Sequence, residues 1–242
     1  MRRLVVLVYA AVIPFLAACS FFPPVMGSGR MAVMSYTLTD FTKVAASQAC
    51  TVRIVPDTSY SVKVTCDDNL LSYLDVRKDG STTLHVGLDQ SHSYMATTFR
   101  AEVHVPTLTG IELSGASQAS VDSGFFSSLP VALTLSGASY AALQGISCAG
   151  ISADVSGASS VSVIGSTAAE TLVVSGASTA DLTGCTATSG GAALSGASKA
   201  KMNVGAGSLS LSASGASVLY YTGSPQLYIQ ELSGGSSLVR VY

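Results

Sequence analysis

In the second half of the chain, apolar residues fall on every second position in short runs, and the runs return about every twenty residues. A tetrapeptide punctuates them. Ser114-Gly115-Ala116-Ser117 recurs as Ser136–Ser139, Ser156–Ser159, Ser175–Ser178, Ser195–Ser198 and Ser214–Ser217, and Ser233-Gly234-Gly235-Ser236 is a degenerate seventh copy. The first serines are 22, 20, 19, 20, 19 and 19 residues apart. With that Ser as position 0, positions −3 and −1 hold Ile111/Leu113, Leu133/Leu135, Ala153/Val155, Leu172/Val174, Ala192/Leu194 and Leu211/Ala213. Positions 5 and 7 hold Ala119/Val121, Ala141/Leu143, Val161/Val163, Ala180/Leu182, Ala200/Met202 and Leu219/Tyr221. A period of two means extended strands with one buried face.

One coil is then a strand, a tight Ser-Gly-Ala-Ser corner, a second strand and a further corner often marked by Gly, as at Gly145, Gly165, Gly184 and Gly223. A single coil cannot bury its apolar side, but coils stacked ~4.8 Å apart can. The predicted fold is all-β, a parallel β-helix of about seven coils. Gly allows the corner its unusual backbone angles, and the small motif Ala is expected to point inward. Position −2 is expected to face out, and holds Glu112, Thr134, Asp154, Val173, Ala193, Ser212 and Glu231.

Residues 39–110 alternate in shorter runs between turns at Asp67-Asp68-Asn69 and Lys78-Asp79-Gly80, and read as a strand-rich capping region. A hairpin about Thr58 would set Cys50 opposite Cys66. The pair could then form a disulfide; the alternative is two buried free thiols. Cys148 and Cys185 fall two coils apart, ~10 Å by stacking, beyond disulfide reach.

The N-terminus is of another kind. Arg2 and Arg3 precede an apolar run from Leu4 to Leu16, and the segment ends Leu16-Ala17-Ala18-Cys19. This is a secretory signal, too short for a spanning helix. Its ending resembles the lipobox of bacterial lipoproteins, which implies cleavage before Cys19 and acylation of that residue. Residues 1–18 are thus a lipoprotein signal peptide, and 19–38, with Pro23-Pro24 and Gly27-Ser28-Gly29, a tether. Residues 111–242 form the repeat helix. Ser20, Phe21 and Phe22 do not match an acidic surface-export signal, so the periplasmic side of the outer membrane is expected.

Composition removes several functions. Charged residues are 11%, the net charge is −2, and no basic stripe exists for nucleic acid. His85, His92 and His104 are the only histidines; none follows His104, so the seven motif serines lack a base and are not nucleophile elbows. His85 and His104 are both expected to face outward, too few to ligate a metal. No cofactor or catalytic residue is expected. The enzyme alternative, a pectinase-like β-helix acting on polysaccharide, would need two carboxylates in reach. Glu112 and Asp154 are two coils apart with Thr134 between, ~10 Å, which barely meets the spacing of an inverting pair.

The strand leader Phe41–Leu88, the junction "VHVPTLTGIELSGASQASV" and the tandem SGAS copies resemble the head GIN domain family of putative auto-transporter adhesins over roughly residues 38–240. That resemblance implies a β-helical, exported, often lipid-anchored protein with no catalytic residues to carry over. The expected function is a lipid-anchored, non-catalytic adhesin or binding scaffold of the cell envelope, with membrane, envelope proteins or glycans as partners. At the C-terminal end, no helix follows the last copy, and Tyr220, Tyr221, Tyr228 and Tyr242 gather. Tyr221 should face in, leaving Tyr220, Tyr228 and Tyr242 as candidates for an interface with a second copy or a partner strand. A capped, non-interacting end is the alternative.

Overall fold

The computed structural model describes residues 23–242. It is a β-solenoid of about seven turns whose two main sheets meet at the Ser-Gly-Ala-Ser corner. In the first sheet, Thr83–Leu88, Lys43–Ala46, Gly110–Leu113 and Val131–Leu135 stack in parallel. The later halves of Tyr140–Val155, Ser160–Val174 and Thr179–Leu194 follow, then Ser208–Ala213 and Gln226–Leu232. The second sheet stacks Phe99–Val105, Thr51–Pro56 and Gln118–Val121, the earlier halves of the three long strands, Lys199–Val204, Val218–Gly223 and Ser237–Arg240.

Register confirms the repeat count. Ile111, Leu133, Ala153, Leu172, Ala192 and Leu211 form one continuous row, and Glu112, Thr134, Asp154, Val173, Ala193, Ser212 and Glu231 form the outward row beside it. On the second sheet, Ala119, Ala141, Val161, Ala180, Ala200 and Leu219 are stacked and buried. Like packs on like because each coil presents the same phase to its neighbour, and small residues let the two sheets approach closely.

The corner corrects one expectation. The motif Ala residues are exposed, and the last serine of each copy is the inward one: Ser117, Ser139, Ser159, Ser178, Ser198 and Ser217 are all buried. Gly and Ala at positions 1 and 2 both lie outside, and the inward phase resumes at position 3, so positions −3, −1, 3, 5 and 7 face the core in the first six copies. Burying a hydroxyl costs about 1–3 kcal/mol unless it is bonded. Ser139 and Ser217 meet that cost by donating to the carbonyls of Ser136 and Ser214 at 2.8 Å. The hydroxyls of Ser117, Ser178 and Ser198 have no partner. The motif Gly adopts φ between 67° and 77° in all seven copies. From the second copy on, a Cβ there would lie 2.4–2.7 Å from the carbonyl oxygen of the Gly one coil earlier, and that oxygen accepts the N–H of the following residue at 2.7–2.8 Å. Only Gly satisfies both the angle and the approach.

An eighth, unpredicted corner starts the stack. Ser47-Gln48-Ala49-Cys50 joins Lys43–Ala46 to Thr51–Pro56, and Ser114 and Gln118 donate to Ala46 and Cys50 as later coils do to their neighbours. Gln48 takes the Gly position with φ 52°, and buried Cys50 takes that of the inward Ser. Antiparallel strands then finish the N-terminal end. Leu74–Asp79 closes the first sheet, and Ser61–Asp67 followed by Met31–Tyr36 closes the second. A 3-10 turn, Asp68–Tyr73, joins the two caps and buries Leu70.

Candidate functional site

Two expectations fail at the cap. The hairpin about Thr58 does not form, because Phe99–Val105 inserts between Thr51–Pro56 and Ser61–Asp67, parallel to one and antiparallel to the other. Cys66 is thus opposite Phe99, and Cys50 lies on the far side of that strand. Both are buried free thiols, and burial pushes the Cys50 thiol up to about 12. The tether boundary also moves. Met31–Tyr36 is a sheet strand, and the segment before it is clamped: Asp67 accepts the N–H groups of Gly29 (2.7 Å) and Thr98 (2.6 Å). Asn69 accepts from the Ser28 N–H at 3.1 Å and donates to the Met26 carbonyl at 2.8 Å, and Arg30 pairs with Asp68 at 3.0 Å. Asp67, which reads from sequence as a turn residue, is 1% exposed.

The outer faces carry little that could do chemistry. On the first sheet, a shallow groove beside the position −2 row is lined by His85, Ala45, Glu112 and Thr134. Register puts Ala45 between His85 and Glu112, and Thr134 between Glu112 and Asp154. Each polar pair is therefore separated by about 9–10 Å of stacking. Desolvation, then nearby Arg77, pushes the His85 imidazole down. His104 lies on the other sheet, so the two histidines are not neighbours. Its Nδ1 meets Asp57 at 2.9 Å and its Nε2 meets Glu102 at 3.4 Å, which raises the imidazole, Asp57 contributing most. Arg53 continues the chain of charges to Glu102 (3.4 Å) and Asp122 (2.7 Å). Both ring nitrogens of His104 are held by carboxylates, leaving neither for a nucleophile. Among the described residues, no three His, Cys, Asp or Glu side chains group as a metal site.

The interior also holds a carboxyl group on the inward, apolar phase. Glu170 sits at position −5, in register between Ile151 and Gly190, and is 1% exposed. Neither carboxyl oxygen has a partner at hydrogen-bond geometry, although the buried Cys185 thiol faces it. Desolvation raises the carboxyl to about 7. Cys148 is free as well and lies one coil away, its sulfur 3.9 Å from the Thr167 hydroxyl. Counting back in twos from Val174 and Leu172 would have found Glu170 on the inward phase.

The C-terminal tyrosines do not form one patch. Tyr220 faces out from the second sheet and Tyr228 from the first, while Tyr221 is buried as expected. Tyr242 is fully exposed, with the Arg240 guanidinium 5.2 Å from its ring centre. What this end displays is the last coil's own core positions, Leu227, Ile229 and Leu232, on a strand that among the described residues is paired only to Ser208–Ala213.

A family model described as "Putative auto-transporter adhesin, head GIN domain" matches residues 40–225. The chain belongs to the head GIN domain family. The match begins just before the first corner and runs through six of the seven SGAS copies. Solved structures share this fold. An adhesin-designated protein from Bacteroides fragilis superposes with a TM-score of 0.81 at 17% identity, over 90% of this chain and 100% of that one. A protein from Parabacteroides distasonis designated as lipid binding gives 0.71 at 14%, over 91% and 100%. Another designated an adhesin, from Parabacteroides merdae, gives 0.67 at 14%, over 90% and 99%. No protein of curated function matches the chain.

Proposed function

We propose that this head GIN protein is a lipid-anchored adhesin or binding scaffold of the cell envelope that performs no chemistry of its own. The observation that carries the reading is the outer surface of the stack. Its position −2 row runs Val173, Ala193, Ser212 through the middle coils, a flat ladder of small side chains, and its carboxylates Glu112 and Asp154 stand two coils apart. A rigid rod with ladders on its faces suits recognition of an extended glycan or an envelope protein better than bond cleavage, which needs convergent groups in a cleft. The adhesin and lipid-binding designations of the structural relatives agree with that role. Acylation at Cys19 would hold the rod to the outer membrane, on its periplasmic side.

The test has two arms. Capture of envelope proteins and a glycan array by the mature chain should return specific binders. Hydrolysis of a polysaccharide panel, abolished by Glu112→Gln with Asp154→Asn, would instead establish an enzyme. Separately, Cys19→Ser should move the protein to the soluble fraction. Unchanged membrane fractionation with no lipid mass on the N-terminal peptide would remove the anchor from the reading.

A further inference from the structure

We infer that the N-terminal cap is a membrane-docking face, which lies on the bilayer surface and takes anionic phospholipid headgroups. The inference deepens the anchored reading and rests on it for orientation. Six large apolar side chains are exposed at this end: Met26, Met31, Val33, Met34, Leu71 and Met95, each between 39% and 55%. They belong to the elements tied together by the Asp67–Asn69 clamp. Met26 pairs with Met95, Leu71 lies on the 3-10 turn that follows the clamp, and Met31 starts the edge strand opposite Asp67. Among the described residues that edge strand, Met31–Tyr36, pairs only with Ser61–Asp67, and it contains no charge. An open, uncharged, apolar edge is a liability in water, since it invites pairing or aggregation. The other N-terminal edge, Leu74–Asp79, is protected by Asp75, Arg77, Lys78 and Asp79.

Two observations say what covers the unprotected edge. The first is reach. The chain is clamped at Met26 to Arg30, so only residues 20–25 separate Cys19 from the rigid body, at most about 25 Å of extended backbone. The apolar cap cannot stand far from the acyl chains. The second is charge. Val33 leads along the outer face to Thr65 and Arg100, and Ser35 to Lys63. Lys63 and Arg100 are exposed and make no ion pair among the described residues, whereas Asp67 and Asp68 are spent on the clamp. Methionine fits such a face, because its flexible thioether adapts to a fluid partner. Lysine and arginine beside it meet phosphate at the headgroup level.

The experiment uses the mature chain in acylated form and as Cys19→Ser, with vesicles of phosphatidylethanolamine and phosphatidylglycerol. An environment-sensitive fluorophore is placed at Val33→Cys, at Met95→Cys, or at Ala193→Cys on the middle of the stack. The four cysteines among the described residues are buried, so the new thiol is the reactive one. Expected is a blue-shifted emission, quenched by spin-labelled lipid, at positions 33 and 95 and not at 193. If Val33→Cys disturbs the edge strand, Met95→Cys carries the measurement. Acylated protein that partitions into vesicles while positions 33 and 95 stay as exposed as 193 overturns the docking face and leaves the anchor standing. Conversely, Cys19→Ser protein that still floats with phosphatidylglycerol vesicles, and loses about fivefold in partitioning for each of Lys63→Gln and Arg100→Gln, upholds the face whatever the fate of Cys19. Absence of both partitioning and shielding overturns the two readings together.

Discussion

Replacing Glu170 by Gln should stabilise the protein, and by an amount that depends on pH. The carboxyl is enclosed between Ile151 and Gly190 in the core and has no hydrogen-bond partner at either oxygen. Its ionised form is therefore disfavoured, and desolvation lifts it from 4.5 to about 7. Below pH 4.5 the folded and unfolded chains both keep the proton, and the group costs nothing through ionisation. Between 4.5 and 7 the unfolded chain releases its proton and the folded one does not, so stability falls as pH rises. Above 7 both are ionised and the loss levels off. At about 1.4 kcal/mol per unit, the full loss is about 3 kcal/mol. For a protein of this size that is roughly 6–12 °C in Tm. Glu170→Gln keeps the shape and cannot ionise, so the gap between variant and wild type should open from near zero at pH 4.5 to its full value by pH 8. Thermal melts followed by circular dichroism across that range measure it. Parallel profiles for the two proteins, or a carbon-13 titration of Glu170 near 4.5, would show that the carboxylate reaches water and that the enclosed site is misread.

Three further outcomes follow from the coil. Ser159→Asp, which buries a charge in the inner corner, should cost more than about 3 kcal/mol, while Ala158→Asp, one residue earlier and exposed, should stay within about 0.5 kcal/mol; equal melting temperatures would reverse the corner's inside and outside. Gly176→Ala meets φ 71° and a Gly157 oxygen 2.5 Å from the new Cβ, so a loss of at least about 2 kcal/mol is expected in urea unfolding, and an unaffected midpoint would contradict the stacked Gly ladder. Cys50, Cys66, Cys148 and Cys185 should all react with a thiol reagent in denaturant without reductant and resist it in the fold; a missing pair of thiols would restore the rejected disulfide.

Much of the solenoid was legible because its information is local and repeated. Around each of the first six motifs, positions −3, −1, 3, 5 and 7 face inward, and stacking multiplies that preference coil after coil, so rows such as Ile111 to Leu211 and Glu112 to Glu231 follow from counting. The same count contained the corner's true orientation and the burial of Glu170. Side-chain size alone favours Ala over Ser inside the corner, but the phase of the flanking strands puts Ser159 in and Ala158 out, and the same phase carries Glu170 into the core. The first corner could have been found from the likeness of Ser-Gln-Ala-Cys followed by Thr-Val to Ser-Gly-Ala-Ser followed by Gln-Ala. The cap could not be read this way. Its strands occur once and pair over long separations, so nothing in the local pattern says that Phe99–Val105 enters between two segments only a short turn apart. Alternation specifies which side of a strand is buried, and repetition specifies the neighbour when all neighbours are alike. Where the strands differ, only the tertiary structure chooses among partners, through long-range closure of the core and capture of a buried carboxylate such as Asp67 by backbone from two separate segments, at Gly29 and Thr98.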